Sequence, residues 1–244
     1  EAPKDITYFD GTVTAADGTV LTINAIDDNA FENCTELIWA ILPESVDNIG
    51  YQAFKGCTSL QGALINNKDT ITIGNMAFEN CDSLRFLASN AMTGYLEDDS
   101  VPELHDSAGN SMVYVPTNAD GYSARCVNFT EDSGVYGYDI VDIGGEGRML
   151  YGLNEYGSPW LAIRSGLTMA DQVELPWTTQ EIFSYAMEKT CSESGSFTLN
   201  WEELWGLWAF DPGAFANSQL GGDVILQDNP FVSSDVFAGC KNIT

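Results

Sequence analysis

Apolar residues recur along this chain in one fixed order, at a period too long for a helix or a strand. Ile26, Ala30, Phe31, Cys34 and Leu37 return as Ile49, Ala53, Phe54, Cys57 and Leu60, then as Ile73, Ala77, Phe78, Cys81 and Leu84, in steps of 23 and then 24 residues. Polar residues fill most places between them. A unit this short cannot bury its apolar side chains alone, so the copies must stack, with like side chains at matching heights. Phe31, Phe54 and Phe78 are therefore expected in one file, with Cys34, Cys57 and Cys81 in another. After each Leu comes a short strand such as Leu37 to Leu42, stopped by Pro43, which cannot donate to a ladder.

The pattern continues on both sides of this array. The turn dipeptides Asp10-Gly11 and Asp17-Gly18, beside Val13 and Val20-Leu21-Thr22-Ile23, predict an N-terminal hairpin over residues 1–25 that shields the first rung. The first array spans 26–92. The phrase Leu42-Pro43 to Phe54 returns at the same spacing as Leu175-Pro176 to Met187, which marks a second array over 173–244. Its later copies supply Phe215, and then Phe237 with Cys240. Residues 93–172 depart from the period and predict irregular β rungs between the arrays. Ser111 to Pro116 reads there as a strand, and Tyr138 to Ile143 with Arg148 to Tyr151 as a hairpin around Gly144-Gly145-Glu146-Gly147. Trp201, Leu204, Trp205 and Trp208 fall at i, i+3, i+4 and i+7, with Asn200 and Glu203 placed as a capping box, which predicts a short helix.

The phrase Leu-Pro-x-Ser-Val-x-x-Ile-Gly-x-x-Ala-Phe-x-x-Cys-x-x-Leu, from Leu42 through Leu60, resembles the BspA-type leucine-rich repeat. Val113-Tyr114-Val115-Pro116 with Tyr122 is similar to the phrase that closes an array in that family. The resemblance implies an α/β repeat solenoid, a right-handed superhelix of mostly short parallel strands with turns and short helical segments. It also implies an extracellular or cell-surface protein that adheres to a host or matrix protein, without catalysis; the alternatives are a carbohydrate-binding module using Trp residues and a purely structural spacer, and no cofactor is expected. The chain departs from the family pattern where Met187 replaces Phe, where Cys191 stands one residue further on, and where extra residues stand near Trp201 to Leu204.

Charge narrows the partners. Nine basic residues face 36 acidic ones, a formal net charge of -27, with clusters at Asp27-Asp28, Glu97-Asp98-Asp99 and Glu202-Glu203. Such a field repels nucleic acid and anionic lipid, and admits cations and basic proteins. No run of 18 apolar residues is present, so no segment is expected to insert in a membrane. The chain opens at Glu1 with neither an initiator Met nor a signal segment, as a processed product would.

Candidate chemistry is sparse. Equivalent Cys on successive rungs lie about 4.8 Å apart along the stack, close enough for disulfides, but small buried thiols are the expectation. There is no CxxC, His105 is the only histidine, and the abundance of carboxylates makes any close acidic pair uninformative, so no metal and no catalytic residue is assigned. The binding candidates are apolar. Trp39 and Ile41, Leu64, and Phe86 should point away from the core on three successive strands, covered either by residues 93–172 or by a partner. Trp201 and Trp205 either stack on a glycan or anchor a protein, or pack against the stack.

Overall fold

The computed structural model describes the chain apart from residues 1–5, 9–10, 98, 101–102, 107, 123–126, 129–133, 145–146, 167–171, 189, 191–195 and 227–229. Asp10, Asp98, Gly145, Glu146 and Cys191 thus lie outside the described residues. Two compact units divide it, Glu1–Ser133 and Gly134–Thr244.

The first unit begins with β1 (Ile6–Tyr8) and the antiparallel hairpin β2 (Thr12–Thr14) and β3 (Val20–Thr22). Strands of two sheets then alternate: β4 (Ala25–Ile26), β5 (Trp39–Leu42), β6 (Asn48–Ile49), β7 (Gly62–Ile65), β8 (Thr70–Ile73), β9 (Phe86–Ser89) and β10 (Thr93–Leu96), followed by β11 (Val113–Val115) and β12 (Val127–Asn128). One sheet runs β1-β5-β7-β9-β11-β12 and the other β4-β6-β8-β10. Every pairing in both is parallel.

A third side of each rung is a tight turn around the Phe. Phe31 N–H donates to the Ala53 carbonyl and Phe54 N–H to that of Ala77, so the turns also bond rung to rung. Phe31, Phe54 and Phe78 stack at 5.2 Å between successive ring centroids, with planes within 5° of parallel. Ala40, Leu42, Ile49, Ile65, Ile73 and Leu87 enclose them in one core. Burial of each such ring contributes about 1.5 to 3 kcal/mol. Tyr122 closes the far end, its hydroxyl 2.8 Å from Ser89 Oγ and donating to the Ala91 carbonyl.

The second unit opens with an antiparallel meander, β13 (Gly137–Gly144), β14 (Gly147–Leu153) and β15 (Pro159–Ser165). Short strands follow: β16 (Gln172–Val173), β17 (Glu181–Ile182), β18 (Thr198–Leu199), β19 (Ala209–Phe210), β20 (Gly221–Gly222), β21 (Phe231–Val232) and β22 (Asn242–Ile243). From β15 the main sheet continues in parallel through β17, β19 and β21, while β16 pairs with β18 and β20 with β22. The turn ladder is rebuilt with Met187 in the first Phe place, its N–H on the Ala214 carbonyl. Phe215 then stacks on Phe237 at 5.4 Å.

Beyond the β2–β3 hairpin and the β13–β15 meander, both units are built from stacked parallel strands, and the expected helical content is a correction. Among the described residues the helical structure is one 3-10 turn, Trp201–Glu203. The reason is in the turns. The residues two before and two after each ring have positive φ: Asn29 and Asn33, Gln52 and Gly56, Met76 and Asn80, then Gly213 and Asn217, and Asp235 and Gly239. Left-handed residues four apart leave no stretch in which a right-handed helical turn can propagate. At Gly56, with φ of +73°, an added Cβ would also lie 2.5 Å from Asn33 Oδ1 on the rung before. Asn200, expected as a helix cap, instead accepts from Leu175 N–H and donates to the Leu175 carbonyl through its side chain.

Candidate functional site

The strand register of the first unit brings four candidate residues together. Trp39, Gly62 and Phe86 lie side by side across β5, β7 and β9, and Ile41, Leu64 and Ala88 form the next outward row. The Trp39 and Phe86 rings close over Gly62, where an added Cβ would stand 2.5 Å from Phe86 Cζ and 2.7 Å from Trp39 Cζ3. Trp39, Ile41, Leu64 and Phe86 are all buried, none exposing more than 6% of its surface. This row is an internal layer of the protein, not an open face.

The Trp residues of the second unit part company. Trp201 is 5% exposed and packs edge-on to Phe210 and Phe215 in the core, so it is a core residue and not a ligand platform. The helix that would have aligned it with Trp205 and Trp208 is absent beyond Glu203. Trp205 is 60% exposed and stacks on Trp177, also 60% exposed, at 5.9 Å and 16°. Trp208 is exposed nearby in the chain, just ahead of β19.

Sequence reasoning passed over Trp177 and this pairing, although a signal existed. Trp177 and Trp205 stand five residues before Ile182 and Phe210, which are in register. In the first unit Glu44 and Lys68 stand five before the registered Ile49 and Ile73, and form an exposed ion pair. The same corner of the rung thus carries an ion pair in one unit and a Trp stack in the other.

Two acidic groups stand on or beside the strands that follow the Trp pair, Glu181 on β17 and Asp211 just after β19. Glu181 is half-buried on β17, where desolvation and the nearby Asp211 push its carboxyl up to about 7. Burial raises Asp211 as well. The two arginines of the unit are engaged elsewhere: Arg148 pairs with Asp142, and Arg164, 2% exposed, lies 3.8 Å from Glu188 and donates to the Tyr185 carbonyl.

The remaining candidates have structural places. Cys34, Cys57, Cys81 and Cys240 are free thiols. Cys57 Sγ donates to the Phe31 carbonyl at 3.1 Å, Cys81 Sγ to that of Phe54 at 3.2 Å, and Cys240 Sγ to that of Phe215 at 3.1 Å. Burial pushes the Cys57 and Cys81 thiols up to about 12. Thr190 and Ser218 fill the Cys place on the Met187 and Phe215 rungs, three residues beyond each, so on the Met187 rung the place belongs to Thr190 and not to Cys191. His105 is exposed and bridges to Ser111, while the Asp106 carboxylate accepts the N–H groups of Ala108 and Asn110. Among the described residues no three His, Cys, Asp or Glu side chains are grouped to hold a metal ion, and no helix is long and apolar enough to cross a membrane.

Parallel strands stacked at a 23- to 24-residue period, with Leu and Phe files inside, define a leucine-rich-repeat β-solenoid. Residues 19–100 match the family model described as BspA type Leucine rich repeat region, in six copies. Two solved structures are similar. One is a leucine rich cell surface protein from Faecalibacterium prausnitzii, 17% identical, with 100% of this chain and 81% of that chain covered and a TM-score of 0.35. The other is the pneumococcal vaccine antigen PcpA, 15% identical, with 98% and 71% covered and a TM-score of 0.33. No curated protein matches the chain.

Proposed function

We propose that this chain is a non-enzymatic repeat scaffold, displayed outside the cell or on its surface, that binds a partner protein through the Trp177 and Trp205 stack. The BspA-type repeat supports the scaffold role and its surface setting. One observation carries the choice of face. The rung corner that holds Trp177 and Trp205 is occupied in the first unit by Glu44 and Lys68, so the fold itself asks for no aromatic there. Two large rings held against each other in solvent bury little and gain little for stability. Rigid Trp side chains at a surface are instead well suited to anchoring a protein interface.

The test is a Trp177→Ala/Trp205→Ala double variant, set beside the wild type on a panel of immobilised extracellular-matrix proteins and glycans. The wild type is expected to hold a protein, and the variant to lose about tenfold or more in affinity. Its melting temperature should stay within the range of a surface change of about 0.5 kcal/mol per site. Equal retention of every wild-type ligand by the variant defeats the proposal.

A further inference from the structure

We infer that the partner surface received by the Trp177–Trp205 stack is a lysine- or arginine-rich segment of a protein. This rests on the reading of the stack as a docking site, and adds the chemistry of what docks.

Charge supplies the first step. Residues 165–188, which contain Trp177, include no Lys, Arg or His, and neither do residues 190–240, which contain Trp205 and Trp208. Glu174, Glu202 and Glu203 are exposed in these same stretches, and Glu181 and Asp211 are half-buried on neighbouring rungs. The stretches are bounded by Arg164, Lys189 and Lys241, of which Arg164 is tied to Glu188, and Arg148, further back, is tied to Asp142. Both rings of the exposed aromatic pair thus lie on stretches whose only formal charges are carboxylates.

Ring chemistry supplies the second. The face of a Trp ring attracts a guanidinium or ammonium group, by about 0.5 to 1 kcal/mol at an exposed site and about 2 when water is excluded. The apolar stem of Arg or Lys can lie along the same ring. Surrounding carboxylates add attraction at a distance and speed encounter. A neutral glycan would use the rings and gain nothing from the carboxylates, whereas an acidic protein would be repelled by them. A basic segment uses both.

The experiment compares binding of three synthetic decapeptides by calorimetry, to wild type and to Trp177→Ala/Trp205→Ala: alternating Arg-Gly, the same peptide with citrulline for Arg, and alternating Glu-Gly. The matrix-protein and glycan panel is run in parallel. The Arg peptide should bind the wild type, the citrulline and Glu peptides should bind about tenfold or more weakly, and the double variant should lose about tenfold for the Arg peptide. Equal Arg-peptide affinity for both chains would show attraction by net charge alone and overturn the inference. Failure of the Arg peptide to bind, alongside Trp-dependent binding of a glycan or of a neutral or acidic protein, also overturns it, with glycan binding replacing the protein reading as well. Absence of any Trp-dependent ligand overturns both the inference and the proposed docking face.

Discussion

In the first unit Trp39 stands three residues before the Leu42-Pro43 step and is buried, while Glu44, two after it, is exposed and pairs with Lys68. In the second unit the matching places are reversed in character. Gln172 stands three before Leu175-Pro176 and is exposed, paired in register with exposed Thr198, while Trp177, two after, is an exposed ring stacked on Trp205. Inward, Leu175, Ile182 and Ala186 repeat Leu42, Ile49 and Ala53, while Met187 and Thr190 stand in the Phe54 and Cys57 places. The comparison teaches that the rung fixes what points inward and leaves the outward columns open to other demands. Burial explains the aromatic residues of the first unit, and stability offers no such explanation for the exposed pair in the second.

The largest expected effect tests what the units share. Phe54→Ala removes a ring stacked on both sides and should destabilise by about 3 to 5 kcal/mol. Met187→Ala, at the matching place, should cost about 2 to 5 kcal/mol, both read from urea melts. A negligible shift for either would break the equivalence of the two files.

Gly62→Ala and Thr198→Ala sharpen the difference in the outward column. The first forces a methyl between Trp39 and Phe86 and should cost about 1 to 3 kcal/mol. The second sits in solvent and should stay within about 0.5 kcal/mol. Similar midpoints for the pair would mean that the Trp39 layer is looser than its contacts imply.

The smallest effect concerns Glu181, whose counterpart in the first unit is the uncharged Asn48. Its carboxyl is raised from 4.5 to about 7, so folding favours the protonated form. That contribution is complete below about pH 4.5 and is lost as pH rises through about 7. Glu181→Gln should therefore leave stability unchanged near pH 4 and raise it near pH 8 by about 1 kcal/mol, after allowance for the half of the side chain that water screens. A thermal melt of both chains at the two pH values decides it, and a gain at pH 4 equal to that at pH 8 contradicts the assignment.

The inward side of the fold was legible because burial repeats. Ile49, Phe54, Cys57 and Leu60 meet the same neighbours on every rung, so their spacing survives in the sequence. The turns were not, because left-handed backbone is met by unlike residues: Gln52, Met76 and Asp235 take the same φ as Asn29 and Gly213. The helix expected at Trp201 failed because spacing alone could not reveal that the Asn200 side chain is committed to Leu175. Trp39 and Phe86 flank Gly62 in register, and their burial depends on how Gly62 admits both rings, which spacing does not show. The Trp177–Trp205 stack needed the register of β17 and β19, which joins residues 28 apart in the chain.

The thiol file has a consequence for how such a protein endures its surroundings. The Cys57 and Cys81 thiols donate hydrogen bonds to carbonyls of the preceding rung, and burial keeps them un-ionised far above neutral pH. A column knit in this way requires no oxidase to mature and presents no sulfur–sulfur bond for glutathione to cleave. The first array should melt at the same temperature in a reducing or an oxidising medium, which suits one chain to both sides of a cell envelope.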